Sequence, residues 1–157
     1  MDLNELLPLS HILFLNPDSV HRDNILPILA EPFRADSMLE SLEAYVADVE
    51  NREADMSTQM RGGIALPHAS SAAVRRLGLV VGIVKEPGIE YDPDCEENVT
   101  LFFLMAVPAT SPAAHLPLLG TLAKFLADET RVAALRSATT PEQVQAMLLS
   151  ECQSQGQ

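Results

Sequence analysis

Four imidazoles, His11, His21, His68 and His115, are the side chains of this 157-residue chain best suited to chemistry near neutral pH. No two of them lie four residues apart, and the carboxylates and thiols around them lack metal-ligand spacing. GxSxG, P-loop and GxGxxG motifs are absent, so serine hydrolysis and nucleotide binding have no local support. His68 differs in its setting. It follows Ile64-Ala65-Leu66-Pro67, a short strand-like run entered through Gly62-Gly63. Proline cannot donate to a ladder, so pairing is expected to stop at Pro67 and leave the imidazole at the strand's carboxyl end, where α/β sheets place ligands. Ala69, Ser70 and Ser71 are small and suit a helix opening, with free N–H groups beside the ring. A neutral imidazole among N–H donors and arginine can accept a phosphoryl group. On these local features alone, a surface histidine closing a strand stays open as the alternative.

The elements that must position His68 follow from periodicity. Ile12–Leu15 reads as a first strand, and His21–Leu29 as a helix interrupted at Pro27. Ser37 and Glu40 have capping-box spacing ahead of Leu39, Leu42, Val46 and Val49, which predicts a helix to about Glu53. Leu79–Val84 and Val99–Val107 are continuous apolar runs, as strands buried on both faces are. Leu116, Leu119, Leu122, Phe125 and Leu126 mark a helix packed on that sheet. Thr130–Ala138 is a shorter helix. Thr140-Pro141-Glu142-Gln143 opens the last, with Val144, Met147 and Leu148 on its inner face. Helices before and after doubly buried strands imply a three-layer α/β/α sandwich with a mixed sheet. Residues 1–150 form one domain, and 151–157 a polar, frayed tail.

Composition narrows the function. Apolar residues make up 47%, which suits a globular domain, and no apolar run is long enough to cross a membrane. A net charge of −12 argues against nucleic acid and anionic lipid. Between residues 52 and 85, however, five basic side chains meet only two acidic ones, an island of +3. It suits a small anion or a partner's acidic patch, or is a solvated face. Cys95 and Cys152 form no CxxC pair and fit a reducing cytoplasm. Acidic neighbours should raise the Cys95 thiol pKa. Met105 reads as core, Arg75 and Arg76 as docking or solvated residues, and His11 and His21 as structural or exposed.

Three segments in order carry a resemblance. Gly63-Ile64-Ala65-Leu66-Pro67-His68-Ala69 resembles the phosphorylation-site motif of fructose/mannitol-type enzyme IIA domains of the bacterial phosphotransferase system. That group includes the stand-alone nitrogen-related regulatory enzyme IIA proteins. Asn51-Arg52-Glu53-Ala54-Asp55-Met56-Ser57-Thr58 is similar to the family's REAxxST segment. Ala114-His115-Leu116-Pro117-Leu118-Leu119 is similar to its second histidine motif, and Leu122–Arg131 to the helix that follows.

The resemblance implies a cytoplasmic phosphohistidine carrier that needs no bound cofactor or metal. His68 would take the phosphoryl group from a histidine phosphocarrier protein and pass it to a IIB domain or a regulatory target. Arg52 and His115 would lie against the phosphoryl oxygens, with Ser57 and Thr58 as nearby hydroxyls. Two positions depart from the family pattern. Arg61 stands where the family has glycine, as an added phosphate contact or a remodelled donor loop. Ser70 stands where a basic residue is common. Two rivals follow: a binding module on the same fold that docks a transporter, kinase or channel domain without phosphate, and an acid–base enzyme built on His68 and His115. The second lacks an acidic residue in either motif to orient a ring.

Overall fold

The computed structural model describes residues 2–155, with side chains through Glu151. Along the chain run α1 (Leu3–Leu6), a single 3-10 turn (Leu9–His11), β1 (Ile12–Leu15), α2 (Ile25–Ala35) and α3 (Leu42–Asp55). Next come β2 (Gln59–Met60), β3 (Ile64–Ala65), β4 (His68–Ser71), β5 (Gly78–Val84) and β6 (Leu101–Pro108). The chain closes with α4 (Leu116–Leu126), α5 (Glu129–Arg136) and α6 (Pro141–Gln155).

The two long apolar runs form the centre of the sheet as antiparallel neighbours, Gly78 opposite Ala106 and Ile83 opposite Leu101. The parallel strand β1 lies outside β5, while β3 and then β4 run parallel along the other side of β6. The short strand β2 pairs antiparallel with β3, so the sheet is mixed, in the order β1-β5-β6-β3-β2. Alternation then sorts the side chains. Val80, Val84, Phe102, Leu104 and Ala106 pack with α2 and α3, while Leu79, Val81, Ile83, Leu101, Phe103 and Met105 pack with α1, α4, α5 and α6. Each fully buried Leu or Phe of this set contributes roughly 1.5–3 kcal/mol of transfer free energy. The result is the expected helix–sheet–helix sandwich. At Gly82 a Cβ would meet Leu29 Cδ2 at 2.5 Å, so α2 lies directly on the backbone there.

Several local expectations are corrected. Ser41, not Ser37, caps α3, its Oγ accepting from Ala44 N–H at 3.1 Å. Ser37 has φ +57° in the turn closing α2, and Met38 and Leu39 are core residues before the helix starts. The preceding helix begins at Ile25, later than predicted, which puts Pro27 in the first turn, where a missing N–H breaks no helical bond. Leu116 is exposed, and Leu118, Leu122, Phe125 and Leu126 form the buried face of α4. The start of α6 follows the predicted logic, with Thr140 Oγ1 accepting from Gln143 N–H at 3.2 Å. The side chain of Gln143 reaches back to Thr139 N–H at 2.8 Å. This helix continues to Gln155 with Glu151 buried, past the tail boundary drawn at 150. The Cys152 side chain and residues 156–157 lie outside the described residues.

The correction that matters most concerns His68. Pairing does not end at Pro67, nor does a helix open at Ala69. Pro67 gives up one N–H, but its carbonyl accepts from Met105 N–H at 3.0 Å and carries the ladder across the gap. His68 then pairs with Met105 and Ala69 with Ala106.

Candidate functional site

The kink at Leu66-Pro67 folds the chain back on the imidazole. His68 Nδ1 lies 2.7 Å from the Leu66 carbonyl, which can only accept, so Nδ1 carries the proton and donates it. In the neutral ring the remaining lone pair is then on Nε2.

Two other elements converge on this ring. His115 sits immediately before α4, its ring 5.3 Å from that of His68 between centroids and tilted by 35°. Its Nδ1 is shielded from solvent and makes no hydrogen bond of ordinary geometry. Burial and the neighbouring His68 hold its pKa below the usual imidazole value, offset in part by the Pro112 backbone. Helix α3 supplies Asp48, Asn51, Arg52 and Asp55, spaced i, i+3, i+4 and i+7 and so on one face. Together with Ala69 and Ser70 of β4 they enclose an open cavity of about 470 Å³ around His68 and His115. Arg52 Nη1 donates to the Met56 carbonyl at 2.9 Å, which anchors the guanidinium at the helix end. Tyr45, fully buried on α3, donates its hydroxyl to the Met105 carbonyl at 2.7 Å. One bond thus ties the helix that carries Arg52 to the residue paired with His68. Burial drives the Tyr45 phenol well above its ordinary pKa, so it stays a donor.

The structure therefore brings together His68, His115, Arg52 and Ser70. It does not bring the other predicted phosphate contacts to that cavity. Thr58 is held by Glu53, which accepts from its backbone N–H at 3.1 Å and from its hydroxyl. Ser57 Oγ accepts from Gln59 N–H and faces a separate pocket with Tyr91 and Asp92. These hydroxyls lock the loop that leaves α3. Arg61 lies at the tip of the β2–β3 turn, beyond Ile64, itself four register positions or about 13 Å from His68 along the sheet. Its backbone needs no glycine, because the positive φ values fall at Gly62 and Gly63. The basic island is dispersed in the same way. Arg75 donates to the Ser37 carbonyl and Lys85 follows the far end of β5.

Sequence reasoning missed Asp48, Asn51 and Asp55. Their helical spacing from Arg52 was the available signal. No carboxylate hydrogen-bonds the His68 or His115 ring among the described residues, so the acid–base arrangement lacks its orienting group. Elsewhere, His11 is buried, its Nδ1 3.1 Å from the Leu79 carbonyl and its Nε2 2.6 Å from Asp36 Oδ2, a structural role. The Cys95 thiol is pushed up in pKa by desolvation and then by Asp92, as its acidic setting predicts. No helix among the described residues is long and apolar enough to cross a membrane.

Residues 5–151 match the family model of the phosphoenolpyruvate-dependent sugar phosphotransferase system, EIIA 2. The chain belongs to that family. Proteins of the EIIA 2 family take part in phosphoryl transfer. This EIIA 2 protein is 32% identical over 133 residues, 84% of its length, to the 2-O-alpha-mannosyl-D-glycerate-specific EIIABC component of Escherichia coli strain K12. It spans only 20% of that relative. It is 36% identical over 95 residues to the nitrogen regulatory protein of the same strain, covering 59% of this chain and 57% of the relative. Its fold matches the crystal structure of nitrogen regulatory protein IIA-Ntr from Neisseria meningitidis with a TM-score of 0.81 at 27% identity, over 92% of this chain and 97% of that one. Three-layer architecture and family thus agree with the sequence reading.

Proposed function

We propose that this EIIA 2 protein is a cytoplasmic phosphohistidine carrier that accepts a phosphoryl group on Nε2 of His68 from a histidine phosphocarrier protein. The protein then passes the group to a IIB domain or uses it to switch a regulatory target. The observation that carries it is the Leu66 carbonyl on His68 Nδ1, which leaves one nucleophilic nitrogen inside a cavity holding Arg52 and His115. In the transfer, the Nε2 lone pair forms a bond to phosphorus while the donor's phosphorus–nitrogen bond breaks and returns its electron pair to the donor imidazole. No net proton moves. Such transfer is loose and asks the protein for positioning and charge stabilisation. Arg52 supplies a fixed positive charge and His115 a ring N–H. The Ser70 hydroxyl is the third group in reach of the cavity.

The test is to incubate the protein with phosphoenolpyruvate, enzyme I and histidine phosphocarrier, then weigh it intact beside a His68→Ala control. One acid-labile phosphoryl group, missing from the control, is the expected result. A folded protein that takes none from several donors would overturn the relay and leave a docking role for the fold.

A further inference from the structure

The cavity around His68 is not a simple anion hole. Two of its lining side chains are carboxylates, Asp48 and Asp55, one turn to either side of Arg52 on α3. At i−4 and i+3 both lie within reach of an ion pair with that arginine. Neither makes one: Arg52 is bonded to the Met56 carbonyl, and among the described residues no ion pair includes Asp48 or Asp55. Ser70, which also lines this cavity, adds no charge. His68 must be neutral to attack, and burial with the neighbouring His68 holds the His115 pKa down, so in the cavity two carboxylates face the one guanidinium before any phosphate arrives. A phosphoryl group adds about one and a half to two more negative charges.

Building on the proposed function, we infer that Asp48 and Asp55 set the transfer potential of phospho-His68, making the protein quick to give its phosphoryl group away. The carboxylates oppose the loaded state and leave the free state nearly untouched, because the neutral imidazole does not feel them strongly. The group is therefore held under repulsion and leaves readily, either to an acceptor nucleophile or to water. In the second case water oxygen bonds to phosphorus, the phosphorus–Nε2 bond breaks, and the imidazole lone pair is restored with release of inorganic phosphate. At a separation of one Debye length, about 8 Å at physiological salt, and in a medium between protein surface and water, a carboxylate shifts the loading equilibrium by about three- to tenfold.

The experiment compares wild type with Asp48→Asn, Asp55→Asn, the double variant and Arg52→Gln. Each protein is equilibrated with a fixed ratio of phosphorylated to free phosphocarrier, and the phosphorylated fraction is read by intact mass. The inference expects each asparagine variant to raise the loading constant about three- to tenfold, the double variant to raise it further, and Arg52→Gln to lower it. High salt should shrink all of these differences. Structural damage cannot imitate the result, because it would lower loading. Unchanged or lowered loading in both asparagine variants overturns the inference while leaving the relay intact. If wild type takes no phosphate from the carrier, the relay reading fails. The carboxylates are then tested with phosphoramidate, a small chemical donor, using His68→Ala as background. There the inference requires phospho-His68 to last several-fold longer in the asparagine variants, and equal lifetimes overturn it.

Discussion

His115 is the residue whose removal tests the site most directly. Its ring faces His68 at 5.3 Å between centroids, and burial with the neighbouring His68 holds its pKa below the ordinary imidazole value, favouring the neutral ring with one N–H to donate. In a site that excludes water, losing one donor to a developing oxyanion costs about 2.7–4 kcal/mol. Here the ring is half-buried at the mouth of an open cavity, and water can replace part of the interaction. About half that cost remains, roughly 1.4–2 kcal/mol, or a 10- to 30-fold fall in transfer rate for His115→Ala. Quench-flow measurement of phosphoryl transfer from phosphocarrier to the variant reads this directly. His115→Gln keeps an amide N–H donor and should recover part of the loss. Nitrogen NMR of His68 should show Nδ1 still protonated in both variants, because Leu66 and not His115 sets the tautomer. A His115→Ala rate within threefold of wild type would sink the argument that this ring stabilises the transferring group.

Four further outcomes follow from the packing. Tyr45→Phe removes the bond from α3 to the Met105 carbonyl and should cost about 1–2 kcal/mol in urea unfolding, with slower phosphoryl transfer as the helix carrying Arg52 loses its tie to the strand beside His68. His11→Phe fits the ring space beside Phe33 but strands the buried Leu79 carbonyl, so denaturant melts should show a loss of about 2 kcal/mol, with transfer unchanged. Arg61→Gly should leave transfer within twofold, whereas Gly63→Ala, at φ +72° with a Cβ 2.8 Å from the Asn98 carbonyl, should destabilise by about 1–3 kcal/mol in the same assay. His115 also contributes a pH dependence. Its folded pKa lies below the unfolded value near 6.5, so the unfolded chain binds the proton more readily. Stability should therefore decline as pH falls from about 6.5 through the folded value, and His115→Gln should blunt that part of the slope in urea titrations at stepped pH.

Much of the fold was legible because its signals are local. Unbroken apolar runs marked β5 and β6, and Thr140-Pro141 with Gln143 marked the start of α6. Boundaries shifted where tertiary contacts outweighed local chemistry. The Ser37 signal yielded to Ser41 because Met38 and Leu39 are required in the core. Leu116 fitted a helical apolar stripe but lies outside the packed face. Motif position pointed to His68, His115 and Arg52, which the fold brings to one cavity, yet it could not separate groups that line the cavity from groups that hold a neighbouring loop. Ser57 and Thr58 lie outside the cavity and hold the loop that leaves α3, a distinction that depends on where Glu53 reaches. Proline chemistry misled for a related reason. A missing N–H ends one ladder bond, but a neighbouring carbonyl can keep the strand in register.

The bond between His68 and Leu66 spans only two residues, whereas Arg52 and His115 arrive from helices far away in the chain. Reactivity and charge stabilisation therefore have different origins in folding. The tautomer is set by a contact within the Leu66–His68 segment. The stabilising groups exist only after both helical layers have docked on the sheet. A chain with one layer loosened would still present a nucleophilic imidazole, but without the surroundings that make phosphoryl transfer fast. Under the proposed relay, a partner that loosens or tightens a helical layer would control the rate without touching His68.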